Sequence, residues 1–244
     1  MTTHTLDGLV RRVRLHAELG KPEERALLAL PFTTVSRDPY SYILREGDRT
    51  EHCFVLLSGI VERHRLDSDG GKQILAFYIP GDPLNLDHLY LDVADDDLRT
   101  LRASEIALIR MTDLRMLMQE VPGIGQALLR ILAIDSSVFR EWTVNVGQRD
   151  AEKRIAHLLC ELEVRTTSQV HELDGSRLPV TQYNIAEATG LTPVHVNRTL
   201  KSLQAHGLLS ANRGGIRVHD WQRLREVSGF DYRYLHMLAH RDKA

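Results

Sequence analysis

The sequence predicts an α+β protein: an N-terminal antiparallel β-roll (a double-stranded β-helix), one long helix, and a C-terminal winged helix-turn-helix. Three observations carry that prediction. Short β-prone runs split by Gly and Asp fill Val35 to Ile109, the punctuation of an antiparallel sheet with tight turns. No Gly or Pro interrupts Gln126–Val146. Thr181–Ser210, TQYNIAEATGLTPVHVNRTLKSLQAHGLLS, reads as two short helices joined at a glycine.

In chain order, Leu6–Leu30 has helical spacing, and Pro22 opens its second segment, EERALLAL. The strands of the roll are expected in SYILR, HCFVLLSGIVERHRL, QILAFYI and EIALIR. Cys53–Arg65 alternates and leads into Asp67-Ser68-Asp69-Gly70-Gly71, a turn between two strands. Thr112–Glu120 returns to helix and Pro122 restarts it. Over the long stretch that follows, Ile124, Leu128, Ile131, Ile134, Val138 and Trp142 are spaced for one face. So much apolar surface on one helix seeks a partner, and the expected partner is its own copy, as a parallel dimer. Packing of that face across the roll is the alternative. Ala151–Val164 is amphipathic, with Ile155, Leu158, Leu159 and Leu162 inward and Cys160 among them as a buried structural thiol. Arg165–Pro179 is expected to be a polar linker. Asp220–Leu238 is expected to be a helical tail carrying Leu224, Val227, Phe230 and Leu235. The implied domains are 1–120 (roll with N-terminal helices), 121–150 (long helix) and 151–244 (winged helix-turn-helix).

Within Thr181–Ser210, Ile185 and Ala186 place an apolar stripe on the first helix, and Gly190 supplies the backbone freedom that ends it. Thr192 stands at an N-cap, with Pro193 at the first helical position, where its missing N–H costs nothing. Val196, Leu200 and Leu203 mark the buried face, and Val194, His195, Arg198 and Lys201 the outer one. Gly207-Leu208-Leu209, then Asn212-Arg213-Gly214-Gly215, then Ile216-Arg217-Val218 reads as strand, turn, strand: a wing. Between Thr181 and His219 stand four cations (Arg198, Lys201, Arg213, Arg217) against one acid, Glu187. Local positive charge on such a frame suits the phosphate backbone of double-stranded DNA.

Bulk composition narrows the classes. A chain of 244 residues accommodates two domains, and 43% hydrophobic with 26% charged residues describes a globular protein. Net charge is −2, so the positive charge is local. Cys53 and Cys160 stand far apart with no Cys-x-x-Cys, which argues against a zinc site and a cysteine-held iron–sulfur cluster and for two reduced thiols. No apolar leader and no run of about 20 apolar residues is present, so the expectation is a cytoplasmic protein with no membrane partner. His52 and His64 lie on separated segments with no matching Glu, which argues against a metalloenzyme on the roll. No catalytic residue, cofactor or metal is expected.

The order of parts, a roll, a long helix and a winged helix-turn-helix, resembles the Crp/Fnr family of bacterial transcription regulators from about Val35 to Val218. Local motifs agree. Gly47-Asp48 followed by Phe54-Val55-Leu56-Leu57-Ser58-Gly59 is similar to the family's early turn and strand. Gly81-Asp82 resembles the opening of its effector loop, and Arg154-Ile155-Ala156 with Leu158-Leu159 the first helix of its DNA-binding domain. In the cyclic-AMP-binding members the effector loop continues through a Gly-Glu pair and an Arg-Ser/Thr pair, which hold the ribose and the phosphate. Here Asn85-Leu86 replaces the first pair, and the arginine position falls near Ala94-Asp95. Asp82–Asp97 holds aspartates at 82, 87, 92, 95, 96 and 97 and no Lys or Arg, with Arg99 the next cation. An anionic phosphate would meet like charge there. The N-terminal cysteines of the oxygen-sensing branch are absent. Haem has only isolated imidazoles to bind, among them His52, His64 and His88.

The resemblance places Arg198 on the family's guanine-contacting position. Two earlier base readers are replaced by Pro193 and Val194, so Val194 is expected against a thymine methyl and His195 at a base edge or phosphate. Lys201, Arg213 and Arg217 are expected on phosphates, as are Thr181 and Gln182 at the start of the first helix. The expected function is a sequence-specific regulator acting as a homodimer on an inverted repeat, with a degenerate cyclic-nucleotide-binding-like sensor domain. RNA polymerase and an unidentified small-molecule effector are the further partners the resemblance implies. A conventional cyclic-nucleotide-dependent activator and a sensor acting by protein contact stand as alternatives.

Overall fold

The computed structural model describes residues 5–169, 177–212 and 214–238. They fall into two compact units, one from 5–65, 76–136 and 236–238, the other from 66–75, 137–169, 177–212 and 214–235.

In the first unit, helices α1 (Asp7–Arg14) and α2 (Lys21–Leu28) precede the strands. These are β1 (Phe32–Arg37), β2 (Tyr42–Leu44), β3 (His52–Ser58), β4 (Val61–Leu66), β5 (Lys72–Tyr78), β6 (Asp97–Thr100) and β7 (Ser104–Arg110), with Leu66 of β4 and 72–75 of β5 belonging to the second unit. They form two sheets, β1-β7-β3 and β2-β6-β4-β5. Strand β7 runs antiparallel between β1 and β3, and β6 antiparallel between β2 and β4. The antiparallel roll expected from the sequence is the one observed.

Alternation along β3 and β7 builds two cores. Phe54, Leu56 and Ile106 point toward Leu44, Val61 and Leu98 of the other sheet. Cys53, Val55, Ala107 and Ile109 face the opposite way, against the helices. Strands covered on both faces read as near-continuous apolar runs, which is how HCFVLLS and EIALIR appear in the sequence. Burial, with the Asp87 charge, pushes the Cys53 thiol up to about 12. Burial raises Cys160 to about 12 as well, and both thiols are free and buried.

Helices α3 (Met111–Glu120) and α4 (Pro122–Gln148) follow. Ile124, Leu128 and Ile131 complete the helix-side core of the first unit. This contradicts their expected place between two copies of the chain. Ile134 and Trp142 are also buried within the chain, and Val138 is half-buried. The reason lies in the composition of α4, which is apolar on more than one side; its own chain covers the stripe that the sequence pattern makes most obvious. The apolar side chains left outward are Leu129 (47% exposed), Phe139 (51%) and Val144 (47%).

In the second unit, α5 (Ala151–Gln169) runs on through 165–169, expected as linker. Its charge is absorbed locally. Buried Glu161 accepts from Trp142 Nε1 at 2.9 Å and the Tyr234 hydroxyl at 2.8 Å, and pairs with Arg165 one turn on at 3.4 Å. His157 lies beside them, stacked on Tyr234 at 5.7 Å between ring centroids and edge-on to Phe230 at 5.1 Å. Burial, aided by the Arg149 charge, holds its pKa down at about 3. The expected single helical tail is instead α8 (Trp221–Ser228) and a 3-10 turn, Tyr232–Leu235. They are separated at Gly229, whose φ of 62° is a left-handed conformation that ends a helix.

Candidate nucleic-acid interface

Local chemistry fixes the two helices of the motif, α6 (Gln182–Thr189) and α7 (Pro193–Ala205). Thr181 caps α6 reciprocally. Asn184 N donates to Thr181 Oγ1 at 3.2 Å, and Thr181 N donates to Asn184 Oδ1 at 3.0 Å. Gly190, with φ of 65°, ends α6 in the left-handed region. Thr192 Oγ1 then accepts from His195 N at 3.3 Å at the start of α7. Val196, Leu200 and Leu203 are buried and lock α7 onto the unit. Strands β8 (Leu209–Asn212) and β9 (Gly215–Val218) pair antiparallel as the wing.

The outer side of α7 is open. Val194 is 81% exposed, and Arg198 and Lys201 are exposed beside it. Together with Pro193, and with Gln182 and Tyr183 of α6, they line a groove of about 460 Å³. Asn197 lines it too; its Nδ2 donates to Gln182 Oε1 at 3.2 Å. His195 is half-buried and not part of that lining. At about 100° per residue it stands a quarter-turn away from Val194, whereas 194, 197, 198 and 201 share one face. Asn197 and Tyr183 were therefore missed by sequence reasoning. The spacing i, i+3, i+4, i+7 that marks a buried stripe also marked this outward one.

The remaining expected contacts are placed differently from one another. The Thr181 hydroxyl is engaged in its cap, also donating to Asn184 Oδ1 at 2.8 Å, and the Gln182 carbonyl is engaged by Asn197. Arg217 lies on β9 opposite Ser210 and is half-buried. Arg213 lies outside the described residues. Glu187 is paired with Lys72 at 2.8 Å, which offsets the one acid of the segment.

The expected effector loop has its own chemistry. Asp82 is buried and paired with Arg12 of α1 at 3.0 Å. A Cβ on Gly81, whose φ is 100°, would collide with the Gly8 carbonyl, so Gly81-Asp82 docks the N-terminal helix. Asn85 is buried and accepts from Phe54 N at 2.8 Å while donating to the His52 carbonyl at 3.0 Å. Arg63 shares with Val61 the face of β4 that points into the roll. It pairs with Asp87 at 2.8 Å and Asp96 at 3.1 Å, and donates to the Leu84 carbonyl at 2.7 Å. Burial would raise Asp87, but the His88 hydrogen bond and the Arg63 charge hold it well below the usual carboxylate range. Asp96 goes the other way: burial raises it to about 6, against the Arg63 charge. Arg99 offers no substitute cation there, since its guanidinium is committed to buried Glu62 at 2.8 Å. A cyclic phosphate does not fit this interior. Among the described residues no cluster of three or more His, Cys, Asp or Glu could hold a metal ion, and no helix is long and apolar enough to cross a membrane.

Comparison with known proteins agrees with both halves. A family profile described as the Crp-like helix-turn-helix domain matches residues 153–227, and one described as the cyclic nucleotide-binding domain matches residues 35–121. The chain is 27% identical over 188 residues to the nitrogen fixation regulation protein FixK of Bradyrhizobium diazoefficiens, covering 76% of this chain and 78% of that protein. It is 25% identical over 187 residues to the anaerobic regulatory protein of Pasteurella multocida, covering 77% of this chain and 68% of that one. The solved structure of FixK2 from Bradyrhizobium japonicum superposes with a TM-score of 0.74 at 24% identity, covering 81% of this chain and 98% of the other.

Proposed function

The chain belongs to the Crp/Fnr family of transcription regulators, and from that premise we propose that it works as a homodimer on an inverted-repeat DNA site. The observation that carries this reading is the open face of α7, where Val194, Asn197, Arg198 and Lys201 line one groove together. Arg198 reads guanine O6 and N7 as a bidentate donor, a contact worth about 1–3 kcal/mol of discrimination. Val194 meets a thymine methyl. Lys201, Arg217 and Arg213 neutralise phosphates and fix register. His195 serves a backbone contact at the edge of the interface, since it stands off the base-reading face.

The interface between copies falls on the outward side of α4. Exposed Leu129, Ser136, Phe139 and Thr143, with half-buried Leu132 and Val146 between and after them, recur at alternating intervals of three and four, the repeat of a two-helix seam. The earlier stripe, from Ile124 to Trp142, belongs to the chain's own core. Two recognition helices related by a two-fold axis read half-sites about 34 Å apart. RNA polymerase is the natural further partner of such a regulator, and the cytoplasm, which holds the DNA, is its compartment. The reading assigns no catalytic role. In-vitro selection from random duplexes tests it. Enrichment of an inverted repeat with a fixed guanine in each half-site is expected; enrichment of single half-sites, or of nothing, contradicts it.

A further inference from the structure

The roll is the part of a Crp/Fnr chain that would hold a diffusible effector, and here its interior is spanned by a side chain of the protein itself. Arg63 leaves β4 on the face shared with Val61, and its register partner Leu98 lies in the same core. Its guanidinium reaches three other parts of the unit: the Leu84 carbonyl at 2.7 Å, Asp87 on the 3-10 turn Leu86–Leu89 at 2.8 Å, and Asp96 just before β6 at 3.1 Å. Its Cζ lies over the Tyr78 ring of β5, 5.8 Å from the centroid. One cation thus ties β4 to chain that is 24 and 33 positions away in the sequence.

We propose that Arg63 is the roll's tethered, permanent occupant: it makes between β4, the 3-10 turn and the loop before β6 the connections that a diffusible ligand would otherwise make. The regulator then takes up its DNA-binding state with no small molecule in that place. Charge supports this. Asp87 and Asp96 share a single guanidinium, so an anionic ligand would have to compete with two carboxylates for the cation and would be repelled by both. Geometry supports it as well. A guanidinium is planar with donors in a fixed fork, which suits two carboxylates and a carbonyl held at once. The Arg63 Nη1 donates to both carboxylates and its Nη2 to the Leu84 carbonyl, while its buried Nε has no hydrogen-bond partner among the described residues.

The test uses the full-length protein with chemical rescue, reading thermal stability directly and DNA affinity as the consequence that rests on the proposed DNA-binding function. Arg63→Ala leaves a space matched by ethylguanidinium, the fragment removed. The variant is expected to lose several degrees of Tm, and its Kd for the selected inverted repeat to rise about tenfold or more, as charge-assisted bonds are lost. Ethylguanidinium restores both, and ethylammonium, which has the charge without the fork, restores neither. Arg63→Met fills the volume without the cation and covers the case in which the alanine variant does not fold; it is expected to be weakened in the same way and not rescued. Cyclic AMP and cyclic GMP leave wild-type Tm and Kd unchanged. Wild-type Tm and Kd in Arg63→Met, or a cyclic nucleotide that tightens wild-type DNA binding, overturns the inference. A wild-type protein that binds no sequence specifically overturns the DNA reading instead, and the Tm and rescue arms still decide the role of Arg63.

Discussion

Replacing Asp96 by Asn removes a titratable carboxyl from the roll while keeping its shape and an oxygen that accepts from Arg63. The side chain is 8% exposed. Burial, joined by the charges of Asp95 and Asp87 and opposed by Arg63, raises its pKa from 3.8 to about 6. The folded state therefore binds this proton more tightly than the unfolded one. The resulting stabilisation is fully present below pH 3.8 and is lost as pH rises through about 6. At about 1.4 kcal/mol per pKa unit the whole effect is about 3 kcal/mol, of which about 2 kcal/mol is lost between roughly pH 4.5 and 7.5. Subtracting the Asp96→Asn variant cancels the titrating groups that are not coupled to Asp96, including His157, whose depressed pKa acts with the opposite sign. Urea denaturation of both proteins across that range should show wild type losing about 2 kcal/mol relative to the variant as pH rises. Parallel stability curves would mean that Asp96 titrates as an ordinary exposed carboxyl. A difference of the opposite sign would mean that the ion pair with Arg63 outweighs burial, and either result refutes the reasoning.

Phe139→Glu places a charge in the proposed seam of α4 and should weaken self-association about 100-fold or more by analytical ultracentrifugation. Ile131→Ala should instead cost the fold about 2–5 kcal/mol and leave association intact. Tyr234→Phe removes one donor from buried Glu161 and should cost about 2 kcal/mol, a fall of roughly 5 °C in Tm by calorimetry. Asn197→Ala should relax discrimination at one base pair of each half-site by about 1–3 kcal/mol in competition binding, with the salt dependence unchanged.

What was legible in the sequence was what is encoded locally. The caps at Thr181 and Thr192, the left-handed turn at Gly190 and the wing depend on neighbours a few residues apart. The caps and the turn form where expected; the wing's first strand, expected at 207–209, runs instead over Leu209–Asn212. The face of α4 was legible only as a period. Stripes of apolar residues run along more than one side of that helix, and spacing does not say which stripe the chain's own core takes. Arg165–Gln169 read as linker because it is polar, yet α5 continues through it, with Arg165 paired back to Glu161 one turn earlier. The same limit hid Asn197, whose amide gains its meaning from Gln182 on the preceding helix. The aspartate run before β6 was legible only as a concentration of negative charge. Arg63, which answers those charges, lies on a strand too distant in sequence for any local pattern to connect it.

The central claim, that Arg198 on α7 reads DNA as part of a specific regulator, is tested most directly by fluorescence anisotropy. Wild-type and Arg198→Ala proteins, both without ligand, are titrated onto the selected duplex and onto the same duplex with its guanine replaced, at near-physiological salt. The account predicts that wild type loses about 10–100-fold in affinity when the guanine is replaced, and that Arg198→Ala binds both duplexes with the same weakened affinity. Full sequence-specific affinity in Arg198→Ala would contradict it.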